Sequence, residues 1–234
     1  FFFKQKTAYE IVDCDWSSDV CSSDLPLGLA IESPRAIIIP KDLPVNTLPE
    51  FIAYLKANQD KVQFASAGAG SASHVSCILL NAMLGLNVTH VPYRGLGPAM
   101  QDLIAGRVQY ICDSVSTSKP QIDGGHVKGI ATTGLKRSPA LPNIPTAKEQ
   151  GIDFDVLTWQ GLFLAKDTPA PIVKQLSEAF SKALDLPSVK GRFDAIGEEI
   201  PSPDRRTPQY FAKFVEAEIA RWSGAIKASG VTVE

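Results

Sequence analysis

Between Val62 and His74 the chain reads Val-Gln-Phe-Ala-Ser-Ala-Gly-Ala-Gly-Ser-Ala-Ser-His, a short apolar strand running through small residues into a helix. These residue types, in this order, suit anion binding. Gly68 and Gly70 let the backbone turn its amides inward, and Ser66, Ser71 and Ser73 supply hydroxyl donors. The first amides of the helix have no intrahelical partners, and that end carries roughly half a unit of positive charge. A carboxylate or a phosphate is the matching guest.

Two other chemistries use similar loops. The run Gly68-Ala69-Gly70-Ser71-Ala72-Ser73 falls one residue short of the G-x-G-x-x-G dinucleotide fingerprint. The following strand, Val88 to Val91, leads into Pro92-Tyr93-Arg94, with no Asp or Glu placed to hold a ribose. A serine hydrolase built on Ser66, His74 and Asp113 would need the G-x-S-x-G elbow, yet Ser66 lies between Phe64-Ala65 and Ala67-Gly68. An α/β enzyme, nucleotide-dependent or otherwise, is therefore the second functional class, behind a cradle that binds without covalent chemistry. The bland alternative is that the small residues only let a helix pack close to a sheet.

The elements that must carry this loop alternate between strand and helix. Ala36 to Ile39 is a β-branched run that predicts a strand buried on both faces. Thr47-Leu48-Pro49-Glu50 is a capping box that opens a helix to about Asn58. The spacing then predicts strand 62–66, helix 73–84, strand 88–91, helix 98–105, strand 108–112, a short helix near 117–123 and strand 128–133. This order argues for a mostly parallel sheet covered by helices on both faces. Pro139, Pro142 and Pro145 make an extended crossing segment, and Gly161 to Ala165 is one more strand. Apolar stripes follow on helices near 170–185 (Ile172, Val173, Leu176, Phe180, Leu184) and 207–229 (Phe211, Phe214, Val215, Ile219, Trp222, Ile226). Such aromatic stripes are core, not a cofactor box.

The 234 residues are 44% hydrophobic with a net charge of −2, and Lys and Arg are dispersed, so nothing points to nucleic acid. No apolar run reaches membrane-spanning length. The histidines, His74, His90 and His126, are scattered, and no Cys or His cluster has metal-site spacing. Neither a metal nor a cofactor is expected. Cys77 and Cys112 fall in a helix and at a strand end, as small buried residues that could pair or stay free.

The loop is followed by His90-Val91-Pro92-Tyr93-Arg94-Gly95, Gly97-Pro98-Ala99-Met100-Gln101-Asp102-Leu103-Ile104-Ala105-Gly106, Cys112-Asp113-Ser114, and Lys136 to Thr146 with its three prolines. In this order and spacing the segments resemble the Bug-type extracytoplasmic receptors of tripartite tricarboxylate transporters. The resemblance runs from about Pro26 to Glu234 and is strongest at 64–113 and 136–164. It implies an α/β, type II periplasmic binding protein-like fold. Residues 36–134 would be a complete ligand-binding lobe and 135–159 a crossing segment. Residues 26–35 would be a hinge and first-lobe remnant, and 160–234 the C-terminal part of that first lobe, whose opening strands would precede Pro26. The implied function is not catalysis. It is capture of a small organic carboxylate by a periplasmic monomer and delivery to the membrane permease subunits of the transporter.

For the site, the resemblance and the residue chemistry together nominate Ser66, Ala67, Gly68, Gly70, Ser71, Ser73 and His74. Tyr93 could wall the cleft, and Asp113 with Ser114 could hold a polar ligand group or a water. Structural roles stand beside these: His74 could donate to a carbonyl in the first helical turn, Tyr93 could be packing, and Asp113 could cap the next helix. The family usually has Asn after this Asp, where Ser114 stands here. Arg94 is the one cation near the loop in sequence.

Residues 1–25 fall outside the resemblance. Lys4 to Ile11 and Cys14 to Leu25 can be spelled in codons that resemble the two arms of an indexed sequencing-library adapter, in frame and in order. This segment is expected to be a translated artefact that contributes nothing to the fold.

Overall fold

A computed structural model describes residues 4–7 and 24–228. The strands are β1 (Lys4–Thr7), β2 (Asp24–Pro40), β3 (Gln63–Ser66), β4 (Thr89–Pro92), β5 (Ile111–Ser114), β6 (Val127–Thr132) and β7 (Leu157–Ala165). The helices are α1 (Leu48–Ala57), α2 (Ala72–Leu84), α3 (Leu96–Ile104), α4 (Val115–Asp123), α5 (Ala170–Leu184), α6 (Pro187–Ile196) and α7 (Pro208–Ala228). The chain divides into two compact units, one of residues 34–157 and one built from residues up to 33 with 158–227.

The 34–157 unit holds the loop. β3 pairs with β4 in parallel, and β3 joins β5 in parallel through Phe64 and Tyr110, with the Ala65 amide donating to the Tyr110 carbonyl at 3.0 Å. The second half of β2 pairs antiparallel with β5 on one side and with β6 on the other. The strand order is thus β4-β3-β5-β2-β6, with β2 alone running against the rest. The expectation of a mostly parallel sheet holds for four strands and fails for β2. That strand enters from the other unit, so no helical crossover fixes its direction. Ile37, Ile38 and Ile39 are fully buried, as a strand covered on both faces requires. On one face Ala36 and Ile38 meet Ala65, Met100, Leu103, Ile111, Val127 and Ile144. Elsewhere in the unit Phe51 of α1 meets Tyr110 edge-on at 5.3 Å. Cys77 of α2 and Cys112 of β5 form a disulfide, with Cα atoms 5.4 Å apart. The Pro-rich stretch stays with this unit, because the Ala147 amide donates to Thr132 O at 2.8 Å and the Thr132 amide to Pro145 O at 3.0 Å.

In the other unit β7 lies between β2 and β1. Trp159, Phe163 and Leu29 pack on Phe211 and Val215 of α7, so the stripe predicted there is core as far as Ile219. Trp222 and Ile226 lie outside the residues whose side chains are described. A Cβ on Gly161 would lie 2.0 Å from the Phe211 ring, so only glycine lets α7 seat. The other stripe is weaker than its periodicity implies: in α5 only Leu184 is buried. α6 was not foreseen, since its residues show no apolar stripe and none is buried.

Residues 1–25 take more part in the fold than expected. Lys4–Thr7 pairs antiparallel with β7, from Lys4 opposite Phe163 to Thr7 opposite Gln160, and Asp24 and Leu25 open β2. The reason is backbone chemistry: the open edge of β7 offers amides and carbonyls that any extended segment can satisfy, whatever its side chains. Cys14, Cys21 and the rest of 8–23 lie outside the described residues.

The ion pair between Glu32 and Arg205 is partly inside the protein. The Glu32 carboxylate is buried, and Arg205 donates to both its oxygens at 2.6 and 2.7 Å while its Nε reaches Tyr210 Oη at 2.7 Å. The Glu32 carboxylate and the Tyr210 hydroxyl hold the guanidinium pKa above its ordinary value, against partial burial. Replacing Arg205 by Ala would strand a buried carboxylate, with an expected loss of about 2 kcal/mol, reduced from the fully buried case because Arg205 is partly exposed. Arg205→Lys, which cannot fork, should recover only part of it. Urea titration of both variants checks this.

Candidate functional site

Three parallel strands bring their carboxyl ends together, the position at which open α/β sheets build ligand sites. Ser66 ends β3 opposite Pro92 of β4. The Tyr93 amide donates to Ser66 O at 3.1 Å and the Gly95 amide to Ala67 O at 3.0 Å, which fastens segment 93–95 to the loop. Asp113 and Ser114 end β5 on the other side of β3.

The loop folds through two glycines in the left-handed region, Gly68 at φ 136° and Gly70 at φ 76°, where L side chains are strained. Ser71 then caps α2, its hydroxyl accepting the His74 amide at 3.3 Å. Much of the loop's hydrogen bonding is internal. The Ser66 hydroxyl accepts the Gly68 amide at 3.1 Å, the Ser73 hydroxyl accepts the Ala67 amide at 3.0 Å, and the Gly70 amide donates to His74 Nδ1 at 3.0 Å. Ser66, Ser73 and His74 are buried, so these three brace the cradle from beneath. Ala67, Gly68 and Ser71 are half-buried, Ala69 is exposed, and the amides of Ala72 and Ser73 sit in the first turn of α2, where no intrahelical acceptor exists.

His74 therefore does not donate to a first-turn carbonyl. Its Nδ1 accepts, which places the ring proton on Nε2. Its ring stacks on His90 with centroids 3.7 Å apart, and Phe64 stacks on His90 at 4.8 Å. His90 Nε2 lies 2.7 Å from Ser66 Oγ. Burial lowers both histidines to about 4, and for His74 the neighbouring His90 adds to the effect, so both rings are neutral at pH 7. A Ser–His contact invites a nucleophile reading. Ser66 is fully buried, its hydroxyl is engaged with Gly68, and among the described residues no carboxylate bonds to His90.

The outlying candidates are occupied by structure. Tyr93 Oη donates to Asp102 Oδ2 at 2.7 Å, and burial with that bond pushes the phenol up to about 12. Its ring packs on the core of this unit. Asp113 is fully buried, accepting the Ser114 amide at 2.7 Å and the Thr117 hydroxyl at 2.5 Å. Burial raises its pKa, opposed by Thr117, by the Arg35 charge and by the Ser114 amide. Ser114 caps α4 through the Thr117 amide at 3.4 Å. Arg94 is exposed. Sequence reasoning missed Arg35, a buried cation that β2 delivers opposite Ser114, and His90. The Pro34-Arg35 entry to a β-branched run was the available signal for the first.

Among the described residues no group of three potential ligands could hold a metal ion, and no helix is long and apolar enough to cross a membrane.

This α/β fold, with its loops at the carboxyl ends of parallel strands, is that of periplasmic binding proteins. MatC from Rhodopseudomonas palustris with bound malate superposes with a TM-score of 0.80 at 34% identity, over 96% of this chain and 78% of that one. The periplasmic binding protein BugD gives 0.81 at 32%, over 99% and 79%. In sequence, a UPF0065 protein from the ttuE–ttuC' intergenic region of Agrobacterium vitis is 39% identical over 205 residues, which are 87% of this chain and 59% of that protein. Residues 24–231 match the family described as the tripartite tricarboxylate transporter family receptor, and the chain belongs to that family. It spans about three-fifths of the length of the first curated relatives it matches.

Proposed function

We propose that this chain supplies the anion-holding unit of a periplasmic receptor that binds a small organic carboxylate without transforming it and delivers it to a tripartite-type permease. The observation that carries the reading is the turn at Gly68 and Gly70, which presents the first-turn amides of α2 at the carboxyl ends of three parallel strands. Ala67, Gly68, Gly70 and Ser71 line the cradle, and Ser66, Ser73 and His74 shape it. Tyr93 and Ser114 stand at the strand ends beside it, and the buried Asp113 holds Ser114 and Thr117 from behind. The malate bound by MatC supports a carboxylate guest. The buried Cys77–Cys112 bridge suits an oxidising compartment outside the cytoplasm.

The test is calorimetric titration of the chain with malate, citrate, an aromatic acid and an amino acid. Binding of at least one, with no turnover, is expected, and silence towards all four overturns the reading. Gly70→Val is expected to weaken that binding tenfold or more while leaving most of the stability, because Val resists positive φ and its side chain crowds the first-turn amides. Unchanged affinity in this variant would remove the loop from the site.

A further inference from the structure

We propose that His74 and His90 are the positioning pair of the 66–74 loop: His90 steadies Ser66, His74 holds Gly70 only as a neutral ring, and a proton on His74 lowers carboxylate affinity. This rests on the carboxylate-binding reading above and adds to it how the cradle keeps its shape.

The geometry leaves His74 one working state. His74 Nδ1 accepts the amide of Gly70, the second left-handed glycine of the turn. A proton there would set N–H against N–H and release Gly70. The Ser66 hydroxyl donates to Gly68 O at 2.9 Å and accepts the Gly68 amide, the first glycine of the turn, so His90 Nε2 meets Ser66 Oγ as an N–H donor and keeps that bond whether or not its Nδ1 is protonated. Each histidine therefore holds one of the two glycines, His74 directly and His90 through Ser66. The rings are stacked at 3.7 Å, so a charge on one bears on the other across a ring's thickness. The surroundings do not relieve such a charge. Phe64 of β3 stacks on both, at 5.9 Å from His74 and 4.8 Å from His90, and the electrostatic effect felt by His74 comes from His90 alone. Ser66 and the Gly70 amide hydrogen-bond to the rings, and among the described residues the charge that bears on His74 is that of His90. Burial keeps both neutral down to about pH 4.

An acid-sensitive affinity follows. With both groups titrating near the same pH, about half to two-thirds of molecules keep His74 neutral at that midpoint, and apparent affinity falls about one-and-a-half- to twofold relative to pH 7. Asn places an amide oxygen where His Nδ1 stands, and Gln reaches the place of Nε2, without taking up a proton in this range. The double variant His74→Asn/His90→Gln is thus the matched control, and malate's own titration is common to both proteins.

The experiment is calorimetric titration with malate from pH 7 to pH 4 on the wild-type chain and the double variant, with His74→Ala at pH 7. A one-and-a-half- to twofold extra loss in the wild type at pH 4, a flatter profile in the double variant, and weaker binding by His74→Ala than by His74→Asn are expected. Equal pH profiles, or wild-type affinity in His74→Ala, overturn the proposal. A second measurement needs neither ligand nor variant: in NMR spectra of the wild-type chain the Gly70 amide should shift with the same midpoint as the His74 ring. A Gly70 amide that stays still while His74 titrates overturns the pair, whereas failure of any carboxylate to bind at pH 7 overturns only the functional reading.

Discussion

Replacing Trp159 by Ala is expected to destabilise the unit that contains it by about 3–5 kcal/mol, a large part of the 5–15 kcal/mol typical of a whole domain. Trp159 is only 1% exposed, and its ring meets Phe211 and Phe214 edge-on at 5.6 and 5.4 Å. Its indole N–H donates to Glu218 Oε2 at 3.2 Å inside the protein. The loss therefore combines a cavity among aromatic rings with a withdrawn donor beside a buried carboxylate. Trp159→Phe, which keeps most of the volume and drops the donor, should cost less. Urea denaturation followed by circular dichroism separates the two, and a loss below 1 kcal/mol for Trp159→Ala would show that this cluster is not the centre of the unit.

The second large effect is expected at the disulfide. Cys77 and Cys112 close a loop of 35 residues, for which the chain-entropy relation gives about 3–4 kcal/mol of stabilisation at 25 °C. Both cysteines are fully buried, and the Cys112 amide points at Cys77 Sγ at 3.1 Å, so the bridge ties α2 directly to the central sheet beneath the loop. The double variant Cys77→Ala/Cys112→Ala should show this loss without added reductant, and it avoids any contribution from Cys14 and Cys21. Equal denaturation midpoints for variant and wild type would show that the bridge constrains nothing.

Much of the 34–157 unit was legible because its signals are local. The capping box at Thr47 does open α1, where Thr47 Oγ1 accepts the Glu50 amide at 3.3 Å, and the strand-to-helix turn at Ser66 to Ser71 lies where the small residues put it. What escaped is non-local. β2 runs from Asp24 to Pro40, although only its isoleucine run announces a strand. The part before Arg35 contains Pro26 and Pro34, and β2 is held there by pairing with β7. At the site, residue types were legible and their partners were not. Spacing in sequence cannot show that a histidine at 90 lies on a histidine at 74, since parallel strands bring them together. Nor can it show that Tyr93 spends its hydroxyl on Asp102. The sequence suggests a loop reaching for a guest, and the structure shows one first satisfied from within.

That inner satisfaction bears on the timing of capture. A cradle whose glycine amides are already held by Ser66 and His74 has its turn set in advance of the proposed guest. Encounter then needs only diffusion and the shedding of water from a small surface, without a slow step of loop closure. Under the proposed carboxylate-binding function, a mouth that keeps its shape turns a larger share of collisions into catches.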